Sequence, residues 1–355
     1  MKVLLSGGGT LGPVTPLLAL FEHLKEKPNI EFIWVGTKNG VEKSLVTENG
    51  IQFFELPASK FRRYFSVQSF LDIFTFFDAF FQSFFFLRRQ KPDVCVSAGG
   101  YVSVPLHLAA WILGIPTWIH QQDVLVGLAN RLMAPFATVI TVTLEQSLKY
   151  FPQRKTRLLG NPVRPSVLSG EKNQALKLLG LENNLPVILA TGGGTGSEKI
   201  NMLIAQVALD LGDVCQIIHL TGTERKIQKP DQNLPHYHSW KFFGDNMKDA
   251  YAAADIVVSR GGFGTLSELA CLKKTAVVIP KSGHQEKNVD FCVKANALVA
   301  LDEDTLSAPL LSDTLRNLLN DVEYRDVLQN NLHRIIPSAS KESIFDCLLS
   351  LQKKT

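Results

Sequence analysis

The chain has little cysteine and none of it in a spacing that a metal cluster or a disulfide framework needs. Its five cysteines, Cys95, Cys215, Cys271, Cys292 and Cys347, are scattered, which argues against a zinc module and fits a reducing compartment such as the cytosol. An excess of one charge is also missing: 37 Lys and Arg face 33 Asp and Glu, for a net +4. That balance is too mild for the dense basic stripe of a nucleic-acid binder, so no nucleic-acid partner is expected. Apolar runs are short. The opening run at residues 1–5 is interrupted by the polar and glycine residues 6–12 before it reaches the length of a secretory leader, and it reads as a buried strand.

What is present is alternation. Short β-rich runs at residues 2–6, 32–36, 94–98, 117–120 and 139–142 are separated by helix-like stretches, and the pattern repeats at 187–191, 216–221, 237–242, 256–259, 276–280 and 298–301. This predicts an α/β fold with parallel sheets covered by helices on both faces. At 355 residues the chain exceeds what one core usually supports, so two Rossmann-like domains facing across a cleft are expected. The stretch GNPVRP at 160–165 marks the join. It divides the chain into an N-terminal domain, residues 1–160 rejoined by a last helix within 338–355, and a C-terminal domain, residues 161–337.

Each half opens with a glycine-rich turn between strand and helix, GGGTLG at 7–12 and GGGTG at 192–196. Amides in such turns, with the positive end of the next helix, suit phosphates. Gly7, Gly9 and Gly12 have G-x-G-x-x-G spacing, but a nicotinamide site also needs an acid after the second strand, where Gly36, Thr37, Lys38 and Asn39 stand. That argues against a redox enzyme. In SRGGFGTLSE at 259–268 the glycines permit close backbone approach, and Glu268 can accept from both hydroxyls of a ribose. Thr265 and Glu268 also fit a capping box, and both readings stand. PKSGHQEKN at 280–288 offers His284, Gln285 and Asn288, side chains suited to sugar hydroxyls and a diphosphate. Asp302, Glu303 and Asp304 precede a helix-like run from Thr305 and are expected to complement its dipole. His236 and His238 are expected on an exposed loop or strand without a third ligand, so no metal site is expected.

Residues 65–87 hold ten phenylalanines. On a helical wheel Phe70, Ile73, Phe74, Phe77, Phe80, Phe81 and Phe84 share one face, opposite Asp72, Thr75, Gln82 and Ser83, with Phe76 and Phe86 as exceptions. Lys60, Arg62 and Arg63 precede the helix and Arg88, Arg89 and Lys91 follow it. Such a helix can lie in a bilayer interface, each basic group adding ~1 kcal/mol near anionic lipid. It can equally cover the sheet. A membrane span is disfavoured, since Asp72 and Asp78 would each cost ~2.5 to 3.5 kcal/mol near the bilayer centre.

Together these motifs resemble the MurG family of UDP-N-acetylglucosamine transferases. The likeness runs through residues 8–10, 59–64, 99–103 (GGYVS), 120–123, 160–164 (GNPVR), 192–201, 245–247, 260–268 and 284–288. The resemblance implies a GT-B fold and an inverting, metal-independent transfer from UDP-N-acetylglucosamine to an undecaprenyl-diphosphate-linked muramoyl peptide, without a cofactor. It also implies peripheral attachment to the cytoplasmic face of a bacterial membrane with an anionic surface. Carried over by position, Thr10, Arg164, Gly193, Gly194, Thr195, Gly244, Met247, Arg260, Gly262, Gly264, Thr265, Leu266, Glu268, His284 and Gln285 are expected to bind the sugar donor. Among them Glu268 would take the ribose, Arg164 and the Gly194 turn the diphosphate, Gln285 the sugar, and backbone at 244–247 the uracil. Gly12, Thr15, Tyr101 and Asp123 are expected at the acceptor, and Phe70, Phe74, Phe77 and Phe81 with Arg62 and Arg63 at the membrane.

Two departures bear on catalysis. The family's opening turn reads GGTGGH, with its histidine assigned to catalysis or acceptor binding, whereas this chain has Leu11 and Pro13 in that stretch, with Pro13 where the histidine belongs. Proline neither accepts a proton nor offers an N–H. The family's HEQN reads His120, Gln121, Gln122, Asp123 here, moving the carboxylate to the fourth position. Asp123 or His120 is therefore expected to hold the base, although His120 also reads as a strand-end histidine bonded to backbone. A donor-binding protein that has lost its base, or a transferase with another lipid acceptor, stand beside the main reading.

Overall fold

The computed structural model describes residues 1–38, 40–57, 67–222 and 234–352, with the side chains of residues 67–73 outside the description. It divides into two compact units, Met1–Arg164 with Pro337–Thr355, and Pro165–Ile336. The divisions fall after Arg164 and before Pro337, where the sequence reading drew them after 160 and before 338.

The first unit holds seven parallel strands: β1 (Lys2–Ser6), β2 (Glu31–Thr37), β3 (Gln52–Leu56), β4 (Val94–Ser97), β5 (Thr117–Gln121), β6 (Val139–Val142) and β7 (Thr156–Leu158), in the order β3-β2-β1-β4-β5-β6-β7. The second holds β8 (Val187–Thr191), β9 (Gln216–Leu220), β10 (Tyr237–Trp240), β11 (Ile256–Ser259), β12 (Thr275–Val278) and β13 (Val299–Ala300), in the order β10-β9-β8-β11-β12-β13. Both are Rossmann-like. In each, the strand order reverses beside the first strand, between β1 and β4 and between β8 and β11, which is where such sheets open a crevice at their carboxyl ends. The inner strands β4, β8 and β11 are buried throughout because helices cover both faces, and so they read as apolar runs, each ending in Ser or Thr.

In the first unit, the helix Lys341–Leu349 lies against the helix Thr15–Leu24 and adds Ile344, Cys347 and Leu348 to the core of Val3, Leu17, Leu18 and Trp34. The outgoing and returning chain are stitched at Asn161, whose N–H donates to the Pro337 carbonyl (2.8 Å) and whose carbonyl accepts from the Ala339 N–H (2.9 Å).

The phenylalanine-rich helix spans Val67–Gln90 and differs from the wheel drawn above. Phe80 and Phe84 turn inward with Ala79, Ser83 and Leu87, and Phe76 and Phe86, the two exceptions, pack on the core as well. Ser83 is buried and donates to the Ala79 carbonyl at 2.6 Å. Gln82 is exposed beside Phe81, bonding Asp78 at 3.0 Å. The nine phenylalanines of this helix exceed what one face holds, so the helix covers the sheet on one side and leaves Phe74, Phe77, Phe81 and Phe85 more than half exposed on the other. Phe70, Arg62 and Arg63 lie outside the described side chains. Among the described residues no helix is long and apolar enough to cross a membrane.

Candidate functional site

In the first unit the segments following β1, β4 and β5 line a cleft of about 270 Å³. Thr10, Tyr101 and Asp123 are in its wall, together with Gln121, Gln122 and Asn130. Thr15 is not: its hydroxyl donates to the Leu11 carbonyl at 3.0 Å and serves its own helix. Gly12 is exposed, and its carbonyl accepts from Gln122 Nε2 at 2.7 Å. That bond leaves Gln122 Oε1, and the two bonds from Asn130 Nδ2 to the His120 carbonyl and Gln121 Oε1 leave Asn130 Oδ1, as buried acceptors without a partner among the described residues.

His120 does not serve as a cleft base. It is buried, with Nδ1 at 2.9 Å from Thr141 Oγ1 and Nε2 at 3.1 Å from Asn161 Oδ1 and 3.2 Å from Thr143 Oγ1. Asn161 Oδ1 can only accept, so the proton sits on Nε2, and Nδ1 accepts from the Thr141 hydroxyl, which itself accepts from the Trp118 indole (2.8 Å). Burial lowers the imidazole to about 4. His120 lies at the strand end, but its ring bonds side chains and not the backbone that was expected. Gln121 explains its own departure from the family pattern: Nε2 donates to the carbonyls of Asp123 (2.8 Å) and Leu125 (3.0 Å), which a glutamate has no N–H to do. It fixes the loop that carries Asp123, a half-exposed carboxylate in the cleft.

In the first glycine-rich turn one amide is already engaged. The Gly9 N–H donates to Glu42 Oε2 at 3.2 Å, and Glu42, a residue the sequence reading passed over, is fully buried.

In the second unit, the glycine-rich turn after β8 leaves Gly193, Gly194 and Thr195 accessible ahead of the helix Glu198–Leu211, capped by Ser197. After β11, the helix Phe263–Cys271 begins with Gly262 as its cap, so Thr265 sits inside the first turn and the capping box does not form. Gly262, Gly264 and Thr265 remain accessible at that helix start. Glu268 is buried and accepts from the Tyr251 hydroxyl at 2.9 Å. Leu266 is a core residue whose N–H is spent on the Gly262 carbonyl (3.0 Å), which removes it from the ligand-facing set.

Arg260 is a clamp rather than an open cation. Nη1 donates to the Ile279 carbonyl (3.0 Å), and Nη2 to Ser197 Oγ (2.6 Å) and Glu303 Oε1 (2.5 Å). Glu303 therefore pairs with Arg260, whose hydrogen bond holds its carboxyl below the usual range. The helix after it starts only at Ala308, capped by Ser307, so Asp302 and Asp304 form a local turn, Asp304 N–H to Asp302 Oδ1 at 2.8 Å, instead of complementing a dipole.

His284 is exposed at the start of the helix His284–Lys294, and Gln285 Oε1 accepts the Lys281 N–H at 3.0 Å. Asn288 is buried and donates to the Gly261 carbonyl (3.3 Å), joining that helix to the Arg260 turn rather than offering its amide to a sugar. Gly244 is exposed just before the helix Met247–Ala253, its carbonyl taking the Met247 N–H (3.1 Å). Arg164 is the half-buried last residue of the first unit. His236 and His238 are half-buried rather than exposed, His238 stacked on Trp240 with ring centroids 6.1 Å apart. Among the described residues no three His, Cys, Asp or Glu side chains are grouped to hold a metal ion.

Residues 3–142 match the glycosyltransferase family 28 N-terminal domain and residues 187–341 the glycosyltransferase family 28 C-terminal domain. Similar sequences include the UDP-N-acetylglucosamine--N-acetylmuramyl-(pentapeptide) pyrophosphoryl-undecaprenol N-acetylglucosamine transferase of Clostridium perfringens strain SM101, 34% identical over 322 residues, 89% of this chain and 90% of the relative. The protein of the same name from Clostridium kluyveri is 36% identical, over 89% and 91%. Among solved structures, Acinetobacter baumannii MurG superposes with a TM-score of 0.72 at 21% identity, covering 98% and 99% of the two chains. A UDP-GlcNAc 2-epimerase from Neisseria meningitidis, bound to UDP-GlcNAc, reaches 0.68 at 17%, covering 99% and 100%.

Proposed function

Because the chain belongs to glycosyltransferase family 28, we propose that it moves N-acetylglucosamine from UDP-N-acetylglucosamine to the muramoyl sugar of an undecaprenyl-diphosphate-linked peptide, with inversion at the transferred carbon. The observation that carries this reading is the end-to-end likeness to relatives named for that activity, 34 to 36% identical across about nine-tenths of both chains.

On this reading the second unit takes the sugar donor. Glu268 accepts the ribose hydroxyls, free backbone groups of the segment 244–247 take the uracil, and Gln285 and His284 take the sugar. The accessible amides at Gly193–Thr195 and Gly262–Thr265, with Arg164, stabilise the diphosphate as charge builds on it, so the scheme calls on no metal ion. The first unit takes the acceptor. Gln122 Oε1 and Asn130 Oδ1 accept from its hydroxyl and amide donors, and Asp123 removes the proton of the attacking hydroxyl. That oxygen bonds to the anomeric carbon as the bond to UDP breaks, leaving Asp123 protonated.

Peripheral attachment to the cytoplasmic face of a bacterial membrane belongs to the proposal. Its supports are the exposed Phe74, Phe77, Phe81 and Phe85, followed by Arg88 and Arg89. An apolar groove of about 390 Å³, lined by Phe76, Val104, Leu108, Leu132 and Phe136, shares Leu128 with the polar cleft and gives an amphiphilic acceptor both chemistries side by side.

Purified protein given labelled UDP-N-acetylglucosamine and a muramoyl-diphosphate lipid, with a chelator present, should yield labelled lipid. Pro13 supports the rival reading, a UDP-sugar-binding protein without a base; tight UDP binding with no product from any lipid acceptor would establish that one instead. Transfer to a different lipid only would keep the chemistry and change the acceptor.

A further inference from the structure

Glu42 opens the helix Glu42–Glu48 and is completely buried. Its Oε1 accepts from the Thr37 N–H (2.7 Å) and the Thr37 hydroxyl (2.6 Å), and Oε2 accepts from the Gly9 N–H (3.2 Å). The positive end of its own helix adds to this set. Glycines make the room: a Cβ on Gly8 or Gly40 would overlap the carboxyl, and one on Gly36 would reach it at 3.0 Å. Gly9 in turn has φ +82° and lies so close to Tyr101 that a Cβ there would stand 2.5 Å from the ring. Burial holds the Tyr101 hydroxyl above the usual phenol range, and the Glu42 charge pushes it the same way. Gly8, Gly9 and Tyr101 are all walls of the first-unit cleft.

We propose that Glu42 is the resident anion of the first glycine-rich turn: its carboxylate takes the place a phosphate would have there, closes that turn to phosphate, and positions Gly9 and Tyr101 for the acceptor. The part concerning the acceptor rests on the function proposed above; the part concerning phosphate does not. A turn whose amide is already satisfied by an internal carboxylate repels a second anion. The acceptor must then be held in this cleft through its sugar and peptide groups.

Three variants of the full chain, Glu42→Gln, Glu42→Ala and Thr37→Val, test this by calorimetry, melting and kinetics. Glu42→Gln removes the charge and sets an NH₂ against the Gly9 N–H, so KM for the acceptor should rise about ten-fold, the loss of roughly one charge-assisted bond. UDP affinity, which belongs to the second unit, should be unchanged. Thr37→Val, which keeps the carboxylate but removes the hydroxyl that donates to it, should give a smaller rise and stands in should the Glu42 variants misfold. In Glu42→Ala, formate should restore acceptor KM, and inorganic pyrophosphate should raise the melting temperature of the first unit while leaving that of the unmodified protein unchanged. A purely structural glutamate would give neither rescue nor pyrophosphate response. Equal pyrophosphate stabilisation of the unmodified first unit, or normal acceptor KM in folded Glu42→Gln and Thr37→Val, overturns the proposal. Absence of transfer by the unmodified protein would instead refute the function while the pyrophosphate comparison still decides the role of Glu42.

Discussion

Replacing Arg260 by methionine separates a clamp from a ligand contact. The guanidinium is 7% exposed and makes three hydrogen bonds, to the Ile279 carbonyl, to Ser197 Oγ and to Glu303. Bonds from a charged donor contribute about 1.5 to 3 kcal/mol each. Two effects reduce the sum: a buried guanidinium carries its own desolvation cost, and methionine refills most of the space. Glu303, whose side chain is 31% exposed, regains water once its partner is gone. The net loss should be about 3 kcal/mol, which for a unit of this size moves melting down by roughly 6 to 12 °C. Scanning calorimetry should show this drop in the transition of the second unit alone. UDP affinity should fall only about ten-fold, through the loosened cap at Ser197. Because Glu303 titrates below the usual carboxylate range when paired, the stabilisation is present above that range and fades as pH falls through the lowered value; the variant should lack that slope. A second-unit transition at its original temperature, combined with a large loss of UDP affinity, would show that Arg260 serves the ligand directly.

Asp123→Asn should lower turnover by ~100-fold or more while leaving UDP affinity unchanged, measured by initial rates and calorimetry; near-normal turnover removes Asp123 as the base. Glu268→Ala should weaken UDP binding by about 10- to 100-fold, losing the ribose acceptor and the bond from the Tyr251 hydroxyl, with 2′-deoxy-UDP far less affected. His107, His120 and His219 are buried and neutral, held at about 3, 4 and 4. Below the ordinary histidine value of 6.5 the unfolded chain therefore binds more protons, so stability is full above that value and declines toward pH 4, by up to roughly 1.4 kcal/mol per pH unit for each group. Chemical denaturation across this range should show a shallower decline in His120→Gln; equal slopes would mean that His120 is not neutral in the fold.

The inner strands were legible because burial on both faces leaves them mostly apolar. QFFEL at β3 and TRL at β7 escaped notice because they are edge strands with partly wet faces, so they carry Glu and Arg like loops do. The glycine turns were legible as turns, yet what fills them was not. Glu42 lies 33 residues from Gly9 in sequence, and nothing in a sequence reports that three N–H and O–H donors converge on one acid. Arg260 illustrates the same limit from the other side: a basic residue beside a glycine turn looks like a phosphate ligand until Glu303 is found on it. His120 and Leu266 were chosen by position along the chain, and the direction of their side chains, inward in both, decided otherwise. The phenylalanine helix was recognised, but a wheel assigns one apolar face, and this helix has two.

Asn161 and Ala339 close the first unit only after the second has been threaded between them, and this imposes an order on synthesis. A ribosome releases the whole of Pro165–Ile336 before the helix that supplies Ile344 and Leu348 exists. Until then the groove along Leu17 and Leu18 lies uncovered, so the earlier-made half waits, unfinished, for the later one. A polypeptide ending before Pro337 would thus carry a complete second unit joined to a first whose apolar groove is bare.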